Sequence, residues 1–189
     1  MHKPNRFAVV GYQDAGKTQV TERIVREASQ DGLAVAVIKH DGHADTESSP
    51  DWEKPSSDTV RAAGAGAQWT MVASRTGWLL HAWKDAGSGV EDWTDLLVSA
   101  AAARQAHVDL VIIEGAKHSP LPKLAVVRTQ AELDQLLQAG VTNIFAVCWT
   151  TETRVDNLPI PQLSFHGVSN LWEVCSGLIA GLNGHANSV

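Results

Sequence analysis

Eight residues near the start of the chain carry the clearest chemistry. Gly11, Tyr12, Gln13, Asp14, Ala15, Gly16, Lys17 and Thr18 read as G-x-x-x-x-G-K-[ST], a phosphate-binding P-loop. In such a loop the backbone N–H groups converge on an anion, and the dipole of the following helix adds positive potential there. Lys17 is expected to reach the β- and γ-phosphates, and the Thr18 hydroxyl to bind Mg²⁺. The same chemistry needs an acidic residue, usually at the end of a buried strand. Glu114, which closes the apolar run at 108–113 and precedes Gly115, suits that role. The plainer alternative is an exposed strand-end carboxylate. Gly115 would let a backbone N–H approach the γ-phosphate, and Lys117 would add charge.

A second group of candidates follows the next apolar run. Lys39 stands at a strand end, where it could meet a phosphate or an acidic substrate. His40, Asp41, His43 and Asp45 have spacings open to a transition metal, but also to plain solvation or substrate contact. Asp58 and Arg61 share one face of a short helix, where they could hold a ligand or simply pair with each other.

These residues need elements to place them. Residues 6–10 form a short apolar run ahead of the loop, and Val20, Ile24, Val25 and Ala28 recur at helical spacing up to Asp31-Gly32. Residues 33–38 predict a second parallel strand, and the polar stretch from there to Ser57 predicts a long loop. A helix over 58–63 is capped by Ser56 or Ser57. The β-prone runs at 68–73 and 78–83 suggest a hairpin, and with it a mixed sheet. Beyond these, the pattern predicts a helix around Trp93–Ala101, strands at 108–113, 124–127 and 144–149, a helix carrying Leu133, Leu136 and Leu137, and a closing helix. Residues from about 184 onward are expected to fray.

The 189 residues, 44% of them hydrophobic, suffice for one well-buried α/β domain and show no linker marking a second. A formal net charge of −6 argues against a general nucleic-acid or membrane-surface role. No apolar stretch reaches the roughly 20 residues that span a bilayer, and the first residues lack a secretory apolar region. Cys148 and Cys175 are isolated in apolar stretches, as buried thiols are. A cytoplasmic protein is expected. Most of the seven tryptophans are expected to serve core or interface packing rather than a stacking platform.

In combination these segments resemble the molybdopterin-guanine dinucleotide biosynthesis protein B (MobB) family. The matching stretches are 11–18, Ile38-Lys39-His40 with His43, Lys54-Pro55 before Asp58, and Ala63-Gly64-Ala65. They continue with 71–74, Trp78, 109–113 with Glu114-Gly115, Lys117-His118, Pro122-Lys123 and 126–128, in order over about residues 6–150. Ala116 stands where the family carries an aromatic residue, and Asp14 where Asn or Gly is common. The resemblance implies a three-layer P-loop NTPase fold with a mostly parallel sheet and an inserted hairpin. It also implies a dimeric protein that binds GTP with Mg²⁺ and hydrolyses it weakly if at all. Such a protein assists a partner guanylyltransferase (MobA-type) in joining GMP to molybdopterin. Guanine preference rests on the resemblance, since the chain has no Asn-Lys-x-Asp stretch. A metallochaperone GTPase loading nickel through His40 and His43, and a small-molecule kinase using Lys17, remain as other readings.

Overall fold

The computed structural model describes residues 3–40, 54–83, 89–151 and 155–186. The chain divides into two compact units, Met1–His40 with Thr94–Val189, and Asp41–Trp93.

The larger unit is a six-stranded sheet flanked by helices. Its strands are β1 (Asn5–Val10), β2 (Val35–Lys39), β5 (Leu110–Glu114), β6 (Lys123–Val127), β7 (Ile144–Trp149) and β8 (Gln162–Ser164). They lie in the order β2-β5-β1-β6-β7-β8, every neighbouring pair parallel. Parallel strands are covered on both faces, which is why β5 and β6 are buried at every residue and read as apolar runs, with a charged residue only at one end of each, Glu114 and Lys123. One face carries Phe7, Val9, Leu110, Ile112, Leu124 and Val126, packed with Val20, Ile24 and Ala28 of α1 (Lys17–Gln30) and Leu171, Cys175 and Ile179 of α5 (Leu171–Ala186). α4 (Gln130–Gln138) buries Leu133 and Leu136. From β1 through α1 the chain moves one way across the sheet, and from β6 through α4 it moves the other way. Right-handed crossovers of opposite direction put their helices on opposite faces, giving three layers.

α1 ends where Asp31-Gly32 predicts, with Gly32 N–H donating to Ser29 O and Leu33 N–H to Ala28 O. α5 runs to Ala186, past the point where fraying is expected.

The smaller unit holds α2 (Asp58–Gly64), with Ser57 capping it by accepting from the Val60 N–H, and an antiparallel hairpin of β3 (Trp69–Ala73) and β4 (Trp78–Ala82). The hairpin is as expected, but the mixed sheet is not. Among the described residues its strands pair only with each other, and the large sheet is parallel throughout. α3 (Val90–Ala103) carries the chain onward into the larger unit. Among the described residues no helix is long and apolar enough to cross a membrane.

Candidate functional site

β1 delivers the chain into the loop at 11–18, at the carboxyl edge of the sheet. Gly11 passes so close to β6 that a Cβ there would stand 2.4 Å from the Val126 carbonyl oxygen, so only glycine fits. The loop closes with Ala15 N–H donating to Tyr12 O, and Gly16 starts α1 without any side-chain cap. The first-turn N–H groups of α1 are thereby left to an outside acceptor. Ala15 is buried, while Gln13 and Asp14 face solvent. Asp14 takes a left-handed conformation, φ 59, which favours Asn, Asp and Gly.

Lys17 folds back over the loop, its Nζ donating to Tyr12 O at 2.7 Å. Burial holds its ammonium below the ordinary range, with Glu114 acting in the opposite sense and Lys117 and Lys39 adding to the lowering. Register between strands brings Glu114 to the loop, because Val9 on β1 pairs with Glu114 on β5. Across 96 residues of sequence the Thr18 hydroxyl then donates to Glu114 Oε1 at 3.1 Å. A hydroxyl and a carboxylate converging at the helix start are the oxygen donors that a hard cation such as Mg²⁺ takes.

The next strand over extends this cluster. Lys39 pairs in register with Glu114. His40 N–H donates to Glu114 O at 2.9 Å, and the His40 Nδ1 accepts from the Ala116 N–H at 3.3 Å. Gly115 donates its N–H to Val9 O at φ 104, and a Cβ on it would lie 2.6 Å from the His40 carbonyl oxygen. Lys117 places its ammonium 4.2 Å from the centre of the Tyr12 ring. Thus Lys39, His40, Gly115 and Lys117 gather beside Lys17, Thr18 and Glu114. Asp58 and Arg61, on α2, form an exposed ion pair with each other at 3.6 Å. His43, with Asp41 and Asp45, lies outside the described residues. Among the described residues no three His, Cys, Asp or Glu side chains group as a metal site.

Two contacts of the loop region are not foreseen by its motif. Thr150, just past β7, donates its hydroxyl to Ala15 O at 3.1 Å and its N–H to Val127 O, bracing the loop from the side away from Glu114. The signal was a polar residue directly after a buried strand, on the edge that binds ligands. Lys123 opens β6 fully buried, bonded to the carbonyls of Ser119 and Leu121. A lysine heading the apolar run at 124–127 is the corresponding mark in the sequence.

Comparison with known proteins places the chain in a family and shows its fold. The family model described as "Molybdopterin guanine dinucleotide synthesis protein B" matches residues 7–150. The probable molybdopterin-guanine dinucleotide biosynthesis adapter protein of Bacillus subtilis is 32% identical over 160 residues, covering 80% of this chain and 82% of its own. The corresponding adapter protein of Escherichia coli is 28% identical over 125 residues, 66% of each chain. Among solved structures, Bacillus subtilis MobB superposes with a TM-score of 0.68 at 24% identity, covering 94% of this chain and 96% of its own. A MobB homologue from Bacillus stearothermophilus gives 0.64 at 24% identity, covering 94% and 99%. These two likenesses show the fold. With the family model spanning most of its length, the chain belongs to the molybdopterin-guanine dinucleotide synthesis protein B family.

Proposed function

We propose that the protein binds GTP with Mg²⁺ and assists a guanylyltransferase in converting molybdopterin to molybdopterin guanine dinucleotide. The observation that carries the nucleotide part is the Thr18–Glu114 hydrogen bond at 3.1 Å, which ties a complete phosphate loop to a buried strand-end carboxylate. The pathway comes from the family and from the names of the relatives. In this reading the loop amides and Lys17 hold the phosphate chain, and Thr18 and Glu114 are the ligands for Mg²⁺, which would neutralise phosphate charge. Gly115 and Lys117 meet the γ-phosphate end, and Lys39 and His40 border it on the side where an acidic second substrate would approach. Hydrolysis is weak at most and depends on a partner. The protein works as a homodimer, for which the apolar hairpin of β3 and β4 offers a face.

Calorimetry with GTP, ATP and GDP, with and without Mg²⁺, tests the reading. The expected result is Mg²⁺-dependent preference for GTP, with binding lost in Lys17→Ala. ATP preference would favour a kinase instead. Addition of the protein to a guanylyltransferase and molybdopterin assay is expected to raise dinucleotide formation, and no gain would count against the accessory role.

A further inference from the structure

The connection from β5 to β6 is unusual for a parallel sheet. It passes from one neighbour of β1 to the other in residues 115–122, with no helix. Such crossovers ordinarily take a dozen or more residues and a helix, which satisfies its own backbone groups. A short strap lacks that internal ladder, so its carbonyls must find other donors. Lys123 provides one. Its Nζ donates to Ser119 O at 2.6 Å and to Leu121 O at 3.0 Å, and the residue is 0% exposed between Ala8 of β1 and Ile144 of β7. Burial lowers its basicity, and among the described residues no carboxylate pairs with it.

A buried ammonium without a counter-charge is an expensive way to fill space, since an apolar side chain would pack there without desolvating a charge. What the ammonium adds is a pair of bonds that select one path for the strap. The strap's other end is the functional one. It opens with Gly115, Ala116 and Lys117, held by Val9 O, His40 Nδ1 and the Tyr12 ring.

We propose that Lys123 is the positioning residue of this strap. Its bonds to the Ser119 and Leu121 carbonyls hold the backbone at 115–117 where the third phosphate of a nucleoside triphosphate on the loop at 11–18 is met. The proposal rests on the nucleotide reading above. A preset strap favours triphosphate over diphosphate because ordering it upon binding costs less.

The test compares GTP and GDP affinity, with Mg²⁺, in the full chain and in Lys123→Met, which keeps the stem and removes the donor. Lys123→Gln, which keeps an N–H donor on a shorter stem, is the second variant. In Lys123→Met the GTP-to-GDP affinity ratio is expected to fall by about tenfold, while GDP affinity stays within about twofold. Lys123→Gln is expected to fall between. Hydrogen exchange should quicken at the amides of 115–122 in Lys123→Met and stay unchanged in β1 and α1. An unchanged ratio, a parallel loss of both affinities, or failure of both variants to fold would overturn the proposal. If the unaltered protein binds both nucleotides equally, the proposal fails and the nucleotide reading stands. If it binds neither, the nucleotide reading itself fails, before any variant is compared.

Discussion

Gly115 meets two demands that no other residue type satisfies together. Its φ of 104 lies in the left-handed region, and its α-carbon faces the His40 carbonyl at a distance that excludes a methyl group. Gly115→Ala is expected to cost about 1–3 kcal/mol, read from urea unfolding, and to weaken nucleotide binding by displacing the amide beside Glu114. The two cysteines make a different prediction. Burial pushes both thiols up to about 12, with a small opposing effect of Arg23 on Cys148 and further raising of Cys175 by its neighbours. Neither should react with a thiol reagent at pH 8 in the folded protein, and both should react in denaturant. At this scale the sequence was most readable where a motif states its own backbone, as at 11–18, or where a carboxylate marks a strand end, as at Glu114. Thr150 and Lys123 left only faint marks, a polar residue after one apolar run and a lysine heading another, and neither mark said what the side chain would touch. Their contacts are made by strand register and by the path of one strap, which neither residue specifies.

α1 does more than start at the loop. Arg23 donates through its guanidinium to the carbonyls of Phe165, Val168 and Ser169, while Glu27 bonds Arg23 and accepts from the Trp172 N–H. The pair thereby fastens the segment between β8 and α5 to the helix behind the loop. Burial tends to raise the Glu27 pKa, but the hydrogen bonds from Arg23 and the Trp172 and Leu171 amides, with the Arg23 charge, outweigh it. The carboxyl is held below its ordinary value of 4.5. A depressed carboxyl contributes stability that is complete above 4.5 and is lost as pH falls through the lower folded value. Glu27→Gln is therefore expected to cost about 2 kcal/mol at pH 7, with the gap to the unaltered protein closing in acid, as urea unfolding at a series of pH values would show. Strong strands such as β5 and β7 were visible in the sequence as apolar runs. β8 was missed because three residues at a sheet edge, after Pro161, leave no periodic trace. The hairpin was visible through its turn and β-prone flanks, but which sheet it would join was not, because pairing partners are set by the whole chain.

Across the whole molecule, the tryptophans among the described residues range from buried to half exposed. Trp149 and Trp172 are buried in the larger unit, whereas Trp69 and Trp78 remain about half exposed. Register on the hairpin places Trp69, Met71 and Ala73 on one face with Trp78, Leu80 and Ala82, an apolar surface throughout. A two-stranded ribbon with such a face is marginal alone and suits a protein contact. Trp78→Lys is expected to shift the protein toward monomer in analytical ultracentrifugation, while calorimetric binding of nucleotide persists.

The strand order also governs when the site can exist. β5 lies between β2 and β1, yet 70 residues of chain separate the end of β2 from its start. On the ribosome, then, the phosphate loop and its helix emerge long before the strand that holds β1 beside β2. At about 5–20 residues per second, the nascent chain waits several seconds with two unpaired apolar strands. Only when Glu114 has emerged and reached Thr18 can the site close, so nucleotide capture would report that the sheet's centre has been completed.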